Sequence, residues 1–462
     1  MINNLWHTQV EWSLRPLPHL PMPPEFIAEP ARSEPSLPEV HASVQVSRSP
    51  FFWRRLLGFL GPGFLISVGY MDPGNWATDI AGGSRFGYTL LFVIMASNLM
   101  AILLQSLSLK LGVATERDLA QLCHEKYGRT VSFVLWIGAE VAIAACDLAE
   151  VIGSAIALNL LFHIPLFYGV LITGLDVLLI LLLQRWGFRY VEALVIALIG
   201  TIIAMFGVQM FLSRPEYWPA LRALVVPSPC IVTNPDMLYI AIGMLGATVM
   251  PHNLYLHSSI VQSRRYKRTP EGKREAIFMA NIDSALALTV ALFVNAAILI
   301  VAAAVFHRSG HFEVAAIQDA YKLLSPLVGA AGASTLFAIA LLASGQNSSI
   351  TGTLAGQVVM EGFIHLKVSP WLRRLITRSL AIIPTIIVVA ITGEQGTEKL
   401  LLLSQVILSL QLSFAVIPLV LFTGSRKTMG EFVNRRWLQG LSWFVAALIA
   451  GLNGWFLVLM FR

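Results

Sequence analysis

From residue 51 onward the chain is a series of long apolar runs divided by short polar stretches. Eleven runs reach the length of helix that crosses a bilayer, about 20 residues. Their approximate limits are 56–81, 88–110, 131–160, 165–184, 190–212, 236–262, 279–306, 333–361, 372–392, 399–423 and 438–461. A membrane β-barrel would show alternating segments of about ten residues instead, and this chain has none. The pattern predicts an all-α integral membrane protein with eleven transmembrane helices. Residues 1–50 stand apart: they hold nine of the 23 prolines and no apolar run. They read as a disordered, proline-rich cytoplasmic tail without the apolar core of a signal peptide. Residues 51–461 form the transmembrane domain.

Composition agrees with the pattern. Hydrophobic residues make up 56% of the 462 and charged residues 13%, too few to cover a soluble protein of this size. The net charge of +6 does not point to nucleic acid, because the basic residues sit in short clusters between apolar runs. With the N-terminus in the cytoplasm, 22 of the 32 Lys and Arg residues fall on the inner side and 7 on the outer. That asymmetry predicts an inside N-terminus and, for eleven spans, an outside C-terminus in a multi-pass cell-membrane protein. Three cysteines, Cys123, Cys146 and Cys230, with no CxxC exclude a disulfide framework and a thiolate zinc site.

Two runs carry a break near their middle. The first contains Asp72-Pro73-Gly74-Asn75 and the sixth contains Met250-Pro251-His252. Proline removes a backbone donor and clashes with the preceding turn, so each helix should unwind there. Non-helical backbone at membrane depth is tolerated where it lines a cavity or is buried in protein. An aspartate at that depth costs about 2.5–3.5 kcal/mol on insertion scales, which makes Asp72 a functional candidate. A kink with Asp72 paired to a basic residue is the plainer alternative. The two breaks head successive blocks of five spans, about 56–212 and 236–423, and five is odd, so the blocks are inverted. Matching interruptions in inverted halves point to a transporter's midplane site. The last span, 438–461, lies outside the repeat.

The donors at these breaks are mixed. Asp72 offers a carboxylate, Asn75 an amide oxygen, unwound backbone a carbonyl such as that of Ala247, and Met250 a thioether. An oxygen-only cage suits calcium or magnesium, whereas a thioether favours softer first-row ions. The set therefore points to Mn²⁺ or Fe²⁺ as a transported substrate.

With these residues in place, the chain resembles the Nramp family of divalent-metal transporters. Asp72-Pro-Gly-Asn75 and Met250-Pro-His252 carry the resemblance, joined by Cys146-Asp-Leu-Ala-Glu150, Ser344-Gly-Gln346 and Ser404-Gln405 across residues 54–462. The resemblance implies a leucine-transporter-like fold of two inverted five-helix repeats plus one extra helix. It implies proton-coupled import of Mn²⁺ or Fe²⁺ by alternating access, with no permanent cofactor, enzymatic activity or obligate protein partner. By resemblance the metal ligands are Asp72, Asn75, the Ala247 carbonyl and Met250, joined in some conformations by the Gly69 carbonyl and Gln405. The proline-rich tail is not part of the family pattern.

Span 3 carries Glu140, Asp147 and Glu150 within about 80° of one another on a helical wheel. Carboxylates on one face of a membrane helix form a proton relay, or they pair with basic residues such as Arg373 and Arg374. His252 and His257 follow the second break and titrate near neutral pH, or they are satisfied core residues. The resemblance associates Asp147, Glu150, His252, His257, Arg373 and Arg374 with proton movement, and Asp72 itself exchanges a proton as metal arrives. Two alternatives share the architecture: an organic-solute transporter, whose substrate carboxylate Asp72 would repel, and a Mg²⁺ transporter, which has no use for Met250.

Overall fold

The N–H groups in the first turn of a helix have no acceptor within it, so proline is tolerated there. Both midspan prolines take that position in the computed structural model. It describes residues 35–38, 40–47, 49–174, 187–314, 316–330, 332–365, 370–392 and 395–460. Pro73 opens the helix Pro73–Phe86 after Pro62–Gly69, and Pro251 opens Pro251–Ile260 after Pro235–Thr248. The interruptions are residues 70–72 and 249–250.

The other predicted runs coincide with helices. These are Leu91–Thr115, Arg129–Phe162, Phe188–Ser213, Pro270–Ala302, Ala333–Ile364, Pro370–Thr392, Gln395–Gly424 and Arg436–Met460. The fourth run begins as Leu166–Thr173, and positions 175–186 lie outside the described residues. Among the described residues, seven helices are long and apolar enough to cross a membrane by length and composition. Ala333–Ile364 is not one of them, because Ser344, Gln346, Asn347, Ser348, Ser349 and Thr351 dilute its hydropathy.

Burial separates central helices from peripheral ones. Every residue from Ala149 to Ala157 is buried, as is every residue from Asn347 to Met360, and these two helices pack along each other. A helix buried all round belongs to the middle of a bundle. Phe188–Ser213 instead buries one stripe of Phe188, Val191, Val195, Ile199, Ile202 and Phe206. Its outer face shows Ile196, Ile203 and Phe211. An apolar outer face on an apolar helix suits hydrocarbon rather than water. The broken helices pack against each other, which brings the two interruptions into one neighbourhood.

The tail boundary predicted at residue 50 falls too late. Leu37, Val40 and Val44 are buried, and Val44–Gln45 pairs as a short parallel strand with Arg264–Arg265. The Leu37 N–H donates to Glu361 Oε2 at 2.8 Å. Residues 35–38 and 40–47 thus pack on the domain, and the reason is local: a few apolar side chains find a surface that average proline content conceals. Positions 1–34 lie outside the described residues.

The chain enters the first half-helix through Gly61, whose φ of 139° favours glycine. Asp283 accepts the Gly61 N–H at 3.2 Å and the Gly63 N–H at 2.6 Å. Arg264 donates to the Leu60 carbonyl at 2.6 Å and to Glu192 Oε1 at 2.7 Å, with both side chains buried. Removing one partner of a buried ion pair strands the other, at about 3–5 kcal/mol. Glu192→Ala is therefore expected to lower the thermal unfolding midpoint in detergent clearly, and Glu192→Gln by less. An unchanged midpoint in the alanine variant would exclude this pair as an anchor.

Candidate metal centre

Asp72 caps the helix that Pro73 opens, with φ −68° and ψ 166°. Capping turns its carboxylate back over the first turn. Oδ1 accepts the Asn75 N–H at 2.8 Å and the Asn75 side-chain amide at 2.6 Å. Oδ2 is buried and has no hydrogen-bond partner among the described residues. The Asn75 Nδ2 also donates to the Ala247 carbonyl at 3.0 Å and to the Gly69 carbonyl at 3.4 Å. One amide nitrogen thus gathers the carboxylate, a carbonyl from the first break and a carbonyl from the second. A cation at that point requires the amide turned so that Oδ1 faces it. Only the partner set decides which way a side-chain amide points.

The other carbonyls freed by the first interruption are held differently. Tyr70 and Met71 N–H return to the Ser67 and Val68 carbonyls. The Tyr70 carbonyl accepts from Asn295 at 2.7 Å. The Met71 carbonyl accepts from Ser344 Oγ at 2.5 Å and Trp76 Nε1 at 3.2 Å. Gly69 and Ala247 share a single amide donor, so theirs are the carbonyls a cation could take up by displacing only that donor.

Met250 precedes the second half-helix and is fully buried. Its Sδ lies 3.2 Å from where a Cβ on Gly69 would stand and accepts from Asn253 Nδ2 at 3.7 Å. The thioether therefore reaches the turn that ends in Asp72. It also packs with Ala142, Cys146 and Leu408. Gln405 closes another side: its Nε2 is 1.9 Å from the position of a Cβ on Gly74, so glycine is needed for this approach. Gln405 Nε2 donates to Ser404 Oγ at 2.9 Å, while the buried Oε1 has no partner among the described residues.

All six expected ligand residues, Asp72, Asn75, Ala247, Met250, Gly69 and Gln405, lie in this neighbourhood. The span 3 acids divide. Asp147 Oδ1 and Glu150 Oε1 both face Gly352, lying 2.8 and 3.2 Å from a Cβ placed there. Glu150 Oε1 accepts from Ser348 at 2.7 Å and from the Cys146 thiol at 3.5 Å. Glu140 lies about 10 Å back along the helix, where it accepts from Trp136 Nε1 at 3.0 Å. His257 Nδ1 meets Gln105 Oε1 at 2.8 Å, and Gln105 donates to the Tyr70 hydroxyl at 2.8 Å. Neither ring nitrogen of His252 has a partner among the described residues. The side chains of Arg373 and Arg374 lie outside the described residues.

Sequence reading passed over Asn295, whose Nδ2 reaches Asn75 Oδ1 at 3.3 Å, and Gln105, which links Tyr70 to His257. A signal for both existed: each is a lone amide inside an apolar run. Asp79 is a further buried carboxylate whose Oδ2 has no partner among the described residues, two turns beyond Asp72.

Three comparisons bear on this geometry. A family model described as natural resistance-associated macrophage protein-like matches residues 63–459. The chain is 62% identical over 429 residues to the "Divalent metal cation transporter MntH" of Nostoc sp., covering 93% of this chain and 97% of that protein. Among solved structures it is similar to the Eremococcus coleocola manganese transporter, with a TM-score of 0.84 and 44% identity over 91% of this chain and 90% of that one. The nucleobase-cation-symport-1 transporter MHP1 aligns with a TM-score of 0.55 at 14% identity, over 87% of this chain and 91% of its own. That likeness concerns the fold alone, an all-α membrane fold of the leucine-transporter-like kind.

Gly74→Ala would drive its Cβ into the Gln405 amide and displace it. Displacing a group that supports a metal site costs about tenfold or more in affinity. Calorimetric titration of the purified variant with Mn²⁺ is expected to show that loss while the protein stays folded, and wild-type affinity would remove Gln405 from the site.

Proposed function

The chain belongs to the Nramp family, and from that premise we propose that it imports divalent transition-metal ions, Mn²⁺ foremost and Fe²⁺ also, coupled to protons. The relatives are named as transporters, and this chain is a transporter rather than an enzyme. The observation that carries the metal reading is the meeting of Asp72 and the Gly69 and Ala247 carbonyls at the Asn75 amide, with the Met250 thioether beside Gly69. Asp72 supplies charge and the amide and carbonyls supply neutral oxygen. The thioether weights the site toward softer ions than Ca²⁺ or Mg²⁺. A soft donor favours this reading over a Mg²⁺ carrier, and a buried carboxylate favours it over a carrier of organic anions.

Metal binding favours the ionised form of a carboxylate, so arrival of the cation at Asp72 releases any proton held there. Asp147 and Glu150 form the route by which such protons move, with His252 and His257 beside the second break. Cys146 connects the two regions: it packs on Met250 and donates to Glu150. The protein sits in the cell membrane with its N-terminus in the cytoplasm and its C-terminus outside. Its eleven spans form repeats of about 56–212 and 236–423, plus the helix at 438–461. Metal and proton are the transported partners, with no permanent cofactor and no obligate protein partner.

Reconstituted vesicles test the reading directly. Asp72→Ala is expected to abolish Mn²⁺ uptake while the protein still inserts, and retained uptake would exclude the site. Met250→Ala is expected to admit Ca²⁺ as a competitor more than it slows Mn²⁺; unaltered Ca²⁺ competition would refute the argument from softness. Glu150→Gln is expected to reduce Mn²⁺-driven acidification, read with an internal pH dye, more than it reduces Mn²⁺ uptake. Equal losses of both would count against a separate proton route.

A further inference from the structure

The last helix, Arg436–Met460, lies outside the inverted repeat, yet one of its polar side chains is buried in the bundle. Asn453 Nδ2 donates to the Ser409 carbonyl at 2.7 Å, and its Oδ1 accepts from Ser409 Oγ at 2.8 Å. Both residues are buried. A two-point hydrogen bond in a low-dielectric interior fixes position and rotation together. Ser409 lies one helical turn after Gln405 on the same face. At that turn the helix Gln395–Gly424 presses directly on Gly246: a Cβ there would stand 2.1 Å from the Gln405 carbonyl oxygen and 2.6 Å from the Ser409 nitrogen. Gly246 adjoins Ala247, whose carbonyl faces Asn75. Apolar packing runs the same way, since Leu238, Ile242, Val406 and Phe456 form one cluster across the three helices.

We infer that Asn453 is a positioning residue for the metal centre: by gripping Ser409 it seats the helix Gln395–Gly424 against Gly246 and holds Gln405 at Gly74. The grip has a definite output. Gln405 Oε1 is buried without a partner among the described residues, and its place is set by backbone that Asn453 immobilises. The extra helix thereby takes part in metal selection without touching the metal. This inference rests on the reading of Gln405 as a member of the site.

The test uses the full chain in proteoliposomes, with Mn²⁺ as substrate and Ca²⁺ as competitor. Asn453→Ala is expected to raise the KM for Mn²⁺ about tenfold, the scale for groups that support a metal ligand. Vmax per inserted transporter should stay near wild type, and Ca²⁺ should compete more strongly. Gln405→Ala should shift the same parameters. In the Gln405→Ala background Asn453→Ala should then add no further KM change, because residues acting through one another are not additive. If Asn453→Ala does not accumulate, Ser409→Ala removes one of the two bonds and is read in the same way. A wild-type KM in the Asn453 variant, beside a shifted Gln405 variant, overturns the positioning role. Additive effects overturn it as well. A Gln405→Ala transporter that handles both metals as wild type does overturns this inference together with the reading of Gln405, and that arm distinguishes the two failures.

Discussion

A backbone carbonyl left unpaired at membrane depth costs several kcal/mol, so a chain that interrupts a membrane helix must find a partner for every group it releases. The rest of this structure is arranged around that constraint. Most of the carbonyls freed near residue 70 are claimed by firm donors: Asn295, Ser344, Trp76 and the returning N–H groups of Tyr70 and Met71. The Gly69 and Ala247 carbonyls are held through one shared amide, that of Asn75. The interruption is thus stable in its own right, and its two loosest acceptors face the same point as the Asp72 carboxylate. One amide donor thus serves three acceptors at that point.

The surrounding helices keep that point dry and in register. The central pair, Arg129–Phe162 and Ala333–Ile364, is buried around nearly its whole middle; it supplies Ser344 to the Met71 carbonyl of the first break and Cys146 to the cluster around Met250 of the second. Glycines at 74 and 246 let Gln405 and its backbone approach closer than any side chain would permit. The same central pair brings Asp147 and Glu150 to Gly352, so the carboxylates of span 3 lie beside the metal region yet outside it. Cys146 links the two, sharing an apolar cluster with Met250 and donating to the Glu150 carboxylate.

On the cytoplasmic side predicted from charge, the first half-helix is tied down where it begins. Asp283 holds the N–H groups of Gly61 and Gly63, and Arg264, paired with Glu192, holds the Leu60 carbonyl. Residues 35–47 lie against the same region and add a strand to Arg264–Arg265. The half-helix that starts at this cluster ends at Gly69, whose carbonyl meets the Asn75 amide.

Much of the architecture was legible in the amino-acid order. Hydropathy marked the apolar helices, because lipid rewards continuous apolar length and leaves a strong one-dimensional signal. Asp72, Asn75 and Met250 were legible because proline beside polar residues inside an apolar run has few explanations. Helical spacing put Glu140 on a face with Asp147 and Glu150, and it also accepts from Trp136, one turn away. The roles of Asn295, Gln105, Asn453 and the segment 35–47 depended on which distant groups they meet. No local pattern encodes this, since a lone amide in an apolar run reads the same whatever it bonds. Sequence by itself determined that the chain crosses the membrane repeatedly, that two spans break at Pro73 and Pro251, and which donor atoms stand at the breaks. Only the tertiary structure decided that both breaks face one point, because convergence is set by helices packing across about 170 residues of intervening chain.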